Sequence, residues 1–177
     1  MIENDSSEAG AGVMERQASE AAVRGHKSGG EKGQEPVVAM GTEMYKNLTM
    51  SCDTTVHLLP HVKDERIKTS MTAALCYYEK KAGEVKKILC DHQAEAQEEG
   101  KMARAMAHMG ILMNTAIDTT DSHIAEMLIE GYTMSATEAI KLRNQYRDKP
   151  GCEELVSLAD DIAKFEQKNM ESLKQYL

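Results

Sequence analysis

Residues 121 to 146 read DSHIAEMLIEGYTMSATEAIKLRNQY, and the spacing of their apolar side chains decides the fold class. At 100° per residue, Ile124, Ala125, Met127, Leu128, Ile129, Gly131, Tyr132, Met134, Ser135, Ala136, Ala139, Ile140 and Leu142 fill an arc of about 240°. Only a narrow strip, with His123, Glu126, Glu130, Thr133, Thr137 and Lys141, is left for water. An ordinary surface helix shows an apolar stripe of roughly 100° or a little more. The pattern therefore predicts a helix with neighbours on several sides, inside a bundle that has a further element laid across it.

The rest of the chain supplies the neighbours. Aromatic residues are scarce, at six Tyr, one Phe and no Trp, whereas Met occurs thirteen times. A core built from Leu, Ile, Val, Ala and Met suits helices better than sheets. The three prolines, Pro36, Pro60 and Pro150, fall between the periodic stretches, where proline opens or bounds a helix without interrupting one. One helix is expected from about Val37 to Leu59, with Val37, Met40, Met44, Leu48, Ser51, Thr55 and Leu58 on its inner face. A second is expected from Asp64, as N-cap, to Asp91, with Ile67, Met71, Ala74, Leu75, Tyr78, Ala82, Val85 and Leu89 facing inward. Lys101 to Ile117 reads as a short amphipathic helix and the run DTTDS from Asp118 to Ser122 as a break before the 121–146 helix, with one continuous helix from Lys101 to Tyr146 as the competing reading. A last helix is expected from Pro150 to near Leu177.

Residues 1 to 36 hold six of the twelve glycines, seven acidic and four basic residues and few large apolar ones. Such a segment cannot bury enough surface to fix a conformation, so a disordered tail is expected there and a single helical domain over residues 37 to 177. The net charge of −8 argues against a nucleic-acid binder, whose phosphate contacts need clustered Lys and Arg. Cys52, Cys76, Cys90 and Cys152 are widely spaced without a CxxC pair, which favours reduced thiols over a zinc cage. No apolar run approaches the roughly 18 residues of a membrane span, and no basic-then-apolar signal pattern opens the sequence. A cytoplasmic protein without a membrane partner is expected.

Linker lengths set the connectivity. The first two helices are joined by a few residues, as are the last two, so each pair forms an antiparallel hairpin, while about 30 residues between the pairs can carry the chain back along the bundle. That is an all-α, ferritin-like four-helix bundle of two hairpins, with a short helix in the long crossover. The stretch MGILMNTAIDTTDSHIAEMLIEG, Met109 to Gly131, and the end KFEQKNMESLKQYL, Lys164 to Leu177, resemble the ferritin-like superfamily and, within it, small uncharacterised bacterial ferritin-like proteins. The resemblance covers roughly residues 40 to 177 and implies a fold more than an activity.

The superfamily at large implies a carboxylate-bridged di-iron centre, and the ligand pattern can be tested against this sequence. Such a bundle needs a Glu from each of two helices and a Glu-x-x-His from each of the other two, all directed inward. In the last helix Glu166 and Asn169 fall within the apolar arc, so an amide stands where an imidazole is wanted. Glu79 lies at the rim of the second helix, and His123, Glu126 and Glu130 occupy the wet strip of the third. One inward carboxylate is too few to hold a pair of dications.

Glu166, Asn169, Ser51, Thr55 and Tyr78 are instead expected to form a buried polar layer, the alternative being a rim position from which the Glu166 side chain bends to water, since a buried carboxylate must find hydrogen-bond partners. The sequence therefore points to a non-enzymatic bundle without a cofactor, structural or partner-binding in role, as a homo-oligomer or with another protein. The alternative is an iron protein for storage or for oxygen or peroxide handling, with ligands drawn from Glu166, Glu79, His123, Glu126 and Glu130. A weaker third reading is a binder of apolar ligands between the Met-rich 101–117 segment and the following helix.

Overall fold

The computed structural model describes residues 35–96 and 119–177. The tail expected up to residue 34 and the helix expected from Lys101 to Ile117 lie outside them. The described residues form four α-helices and no strand: α1, Pro36–Leu58; α2, Glu65–Asp91; α3, Asp121–Tyr146; and α4, Glu153–Leu173. Short 3-10 turns, Leu59–His61 and Lys174–Tyr176, follow α1 and α4.

Local chemistry sets the helix ends. Pro36 occupies the first turn of α1, where its missing N–H is no loss. The Asp64 carboxylate caps α2 by accepting from the backbone N–H groups of Arg66 and Ile67 at 2.8 and 2.9 Å, two donors that have no partner inside the helix. Thr120 caps α3 by accepting from His123 N at 3.3 Å, which places a helix start at the DTTDS run. The last helix begins at Glu153, three residues later than the expected Pro150. Pro150 and Gly151 are used in the turn instead, where Gly151 takes φ +82°, a conformation open to a residue without a Cβ.

Contacts at the ends of the helices fix their directions. Glu35, just before α1, meets His92, just after α2, at 3.2 Å. Arg143, near the end of α3, pairs with Asp160, near the start of α4, at 2.7 Å, and Thr133 donates to Met170 Sδ further along at 3.0 Å. Each pair of helices is therefore an antiparallel hairpin. Gly41 joins the two: a Cβ at this position would lie 2.9 Å from Leu89 Cδ2 of α2 and 3.5 Å from Leu155 Cδ1 of α4. The starts of α1 and α4 thus share one pole with the ends of α2 and α3, so α2 and α3 run in the same sense. The end of α2 and the start of α3 therefore lie at opposite poles, and the 26-residue α3 is about 39 Å long.

The core runs along the bundle axis through Met40, Met71, Ala74, Tyr78, Val85, Ile124, Ala125, Leu155 and Ala159, each at most 1% exposed. Burial of each large side chain contributes about 1.5 to 3 kcal/mol.

The third helix departs from the sequence expectation. Its buried residues are Ile124, Ala125, Leu128, Tyr132, Ala136, Ala139 and Leu142, which span about 120° rather than 240°. Met134 is 64% exposed, Gly131 is exposed and Met127 only half-buried. The apolar arc is wider than the surface its described neighbours cover, so apolar character overstated burial there.

Candidate functional site

Glu166 is fully buried, at 0% exposure, near the middle of α4. It sits on the same face as Leu155, Leu158, Ala159, Ile162 and Leu173, so the helical repeat that builds the core also carries a carboxylate into it. Two hydroxyl groups answer it. The Tyr78 hydroxyl, from α2, donates to the carboxylate with Oη 3.0 Å from Oε1 and 2.9 Å from Oε2. The Ser135 hydroxyl, from α3, donates to Oε1 at 2.7 Å. One side chain from each of three helices therefore meets at the bundle centre.

Aromatic rings keep water from this cluster on the α2 and α4 side. Tyr77 stacks on Phe165 with centroids 3.8 Å apart and planes 10° from parallel. Tyr78 meets the edge of the same Phe165 ring at 5.9 Å and 82°. Lys81 lies over Tyr77, 5.8 Å from its centroid, and is held by Glu84 at 3.0 Å and Asp161 at 3.7 Å. Its charge is thus spent on the rim and does not neutralise Glu166.

Burial dominates the electrostatics. Desolvation pushes the Glu166 carboxyl up from 4.5 to about 7, with the Ser135 and Tyr78 hydrogen bonds pulling the other way, because a charged group loses more than a neutral one on leaving water. Tyr78 and Tyr132 are both raised, first by burial and then by the nearby Glu166, and so remain phenols at any ordinary pH. The half-buried Cys52 thiol of α1 is pushed up to about 11, by burial first and then by Glu79 and Asp53.

The other residues singled out from the sequence fall in different places. Thr55 is buried but donates to Ser51 O of its own helix at 2.8 Å. Asn169 likewise donates to Phe165 O at 3.0 Å. Ser51 is half-buried, Glu79, Glu126 and Glu130 are exposed, and His123 is partly exposed, with Glu126 Oε2 3.7 Å from its Nδ1. Among the described residues no group of three or more His, Cys, Asp or Glu is placed to share a metal ion.

Ser135 was not singled out as a partner by sequence reasoning, which counted it only among the small residues of the α3 arc. Its position was nevertheless readable: on the helical wheel it falls between Leu142 and Leu128 on the inner face, where a half-buried hydroxyl finds an acceptor.

Chemically, the cluster can hold a carboxyl group in either protonation state, give it two hydrogen bonds and couple three helices through it. Among the described residues no helix is long and apolar enough to cross a membrane. Comparisons with family models, curated proteins and solved structures returned no match.

Proposed function

We propose that the chain is a ferritin-like bundle of two hairpins with a structural or partner-binding role, in which a hydrogen-bonded Glu166 cluster occupies the position of a metal centre. The observation that carries this reading is the partnership of Glu166. Its described side-chain hydrogen bonds come from neutral hydroxyls, Tyr78 and Ser135, while the acidic residues that would complete a ligand set, Glu79, Glu126 and Glu130, are exposed. A carboxylate satisfied by phenol and alcohol donors specifies which helix faces meet, since any slip of α2 or α3 past α4 leaves buried polar groups without partners. Parallel α2 and α3 and the long connection between them support the ferritin-like arrangement.

A role as a scaffold follows from such a cluster more readily than catalysis. The described site offers no nucleophile paired with a base and no second carboxyl to exchange protons with a substrate. The partner is proposed to be a second copy of the chain or another protein.

Elemental analysis of protein purified without chelator, followed by a ferrous iron titration, tests the proposal. The expected result is no stoichiometric metal and no saturable iron uptake. Stoichiometric iron that disappears in Glu166→Ala would replace this reading with the iron-handling one.

A further inference from the structure

Among the described residues, a tyrosine hydroxyl bridges the two hairpins inside the bundle, and the Lys81–Asp161 pair bridges them at the rim at 3.7 Å. Tyr78 reaches from the α1–α2 hairpin to both carboxyl oxygens of Glu166, whereas Ser135, the other donor, belongs with Glu166 to the α3–α4 hairpin. We propose that Glu166 is a proton-operated latch between the hairpins, in which gain of a proton reverses the Tyr78 hydrogen bond and tightens their contact. The proposal rests on the metal-free reading above.

The geometry specifies the two states. With the proton off, Oε1 accepts from Ser135 and Tyr78, and Oε2 accepts from Tyr78 alone. A negative charge is then enclosed at 0% exposure, and no basic side chain is among the groups acting on it. A proton taken from water adds to Oε2, the oxygen without the Ser135 bond. The new O–H donates to Tyr78 Oη, whose own hydrogen turns to Oε1, 3.0 Å away, and Ser135 keeps donating to the same oxygen. No other covalent bond changes, and the buried charge is gone.

The titratable groups around the latch are Tyr77 and Tyr78 of α2 and Tyr132 of α3, with Cys52 of α1 adjoining Tyr78. All of these are raised by burial, so they are neutral across the range in which a carboxyl titrates. Glu166 is therefore the group in the cluster that changes charge near neutrality, consistent with its carboxyl being pushed up to about 7. A cavity of about 20 Å³ between α1 and α3 is lined by Asn47 and Ser135 among other residues. It is large enough for one water, and it places Ser135 between that volume and the carboxyl group.

The effect on packing follows from charge. Enclosing the carboxylate costs desolvation energy that the neutral acid does not, so the closed packing is less favoured with the proton off. Opening between α2 and α4, which the Lys81–Asp161 pair also bridges at 3.7 Å, should therefore depend on proton concentration through Glu166.

The test is a pH titration of the full chain carrying carboxyl-labelled glutamate, followed by NMR, with Glu166→Gln used to assign the signal. Hydrogen exchange at the central amides of α2 and α4 is measured across the same range and corrected for intrinsic rates. The expected midpoint for Glu166 is about 7, with protection rising on the order of tenfold when the proton is on and no such change in Glu166→Gln. Tyr78→Phe, which keeps the carboxyl but removes a donor to its charged form, is expected to move the midpoint upward. It serves as a separate test should Glu166→Gln fail to fold. A midpoint in the ordinary range near 4.5, unchanged protection, or a midpoint in Tyr78→Phe that is unmoved or lower overturns the latch. Metal content of the same sample is measured in parallel, so that bound iron, which defeats the functional reading, is distinguished from a metal-free Glu166 that does not titrate as expected.

Discussion

The Tyr78 hydroxyl lies 3.0 and 2.9 Å from the two oxygens of Glu166, a residue 88 positions away in the sequence. That bond is made inside the core, with both residues at most 1% exposed. Its first consequence is for stability against pH. The folded-state value of about 7 lies above the ordinary 4.5, so the native bundle binds this proton more tightly than the unfolded chain does. The stabilisation is complete below pH 4.5 and is lost as pH rises through about 7. The full swing is about 3 kcal/mol. The urea midpoint of the wild type is expected to fall between pH 5 and pH 8 relative to that of Glu166→Gln, whose side chain cannot ionise. Two parallel pH profiles would mean that the carboxyl is not desolvated as described.

Removal of the donor has a pH-dependent cost of its own. Tyr78→Phe keeps the ring in its edge contact with Phe165 and takes away only the hydroxyl. A hydrogen bond to a charged group contributes about 1.5 to 3 kcal/mol and one between neutral groups about 1 kcal/mol. The substitution is therefore expected to destabilise more at pH 8 than at pH 5, as read from denaturant midpoints at the two pH values. Ser135→Ala should behave similarly, because Ser135 also pulls the Glu166 value downward. Equal losses at both pH values would show that the hydroxyl serves packing alone.

Much of this arrangement was legible in the sequence, and the remainder failed for identifiable reasons. The periods of α1, α2 and α4 placed Met40, Met44, Leu48, Met71, Tyr78, Leu155, Ile162 and Glu166 inside, where the structure has them. An all-helical chain with four helices among the described residues follows from the same pattern. The wheel of α3 overstated burial because Gly131 and Met134 count as apolar whether or not a neighbour stands opposite them. Nor could angular position say how an inward hydroxyl is satisfied. Thr55 turns to the carbonyl four residues back, a local option open to threonine in any helix, whereas Ser135 reaches another helix. That choice depends on the distance between helices, which no single helical repeat contains.

Gly41 offers a test of packing at the pole where the hairpins join. An added Cβ would stand 2.9 Å from Leu89 Cδ2 and 3.2 Å from Leu89 Cγ, closer than packed carbons approach, and Leu89 is itself only 1% exposed. In the wild type, Gly41→Ala gains about 1 kcal/mol of helix propensity and is set against about 1 to 3 kcal/mol of overpacking, so it is expected to be neutral to destabilising. Leu89→Ala alone should cost about 2 to 5 kcal/mol through the cavity it leaves. With the leucine gone, the same alanine at position 41 has room and is expected to be stabilising. A double-mutant cycle on unfolding free energies reads this change of sign. Additive effects would show that α1 and α2 do not approach closely here.

The four thiols report on the same packing from another direction, because they sit in three different environments. Cys76 and Cys90 are exposed on α2, Cys52 is half-buried on α1, and Cys152 is fully buried at the start of α4. The nucleophile in thiol labelling is the thiolate, so accessibility and acidity both enter the rate. Cys76 and Cys90 are expected to react rapidly with an aromatic disulfide reagent at pH 8. Cys52 should lag well behind them, since its thiol is pushed up to about 11 and only a fraction of a percent is ionised at that pH. Cys152, at 0% exposure and with its thiol also raised by burial, should react only as the α3–α4 turn opens, at a rate that follows denaturant concentration. Mass spectrometry of peptides after timed quenching separates the four sites. Rapid modification of Cys152 in native buffer would mean that the start of α4 is not packed against α1 and α2 as the Gly41, Leu89 and Leu155 contacts require.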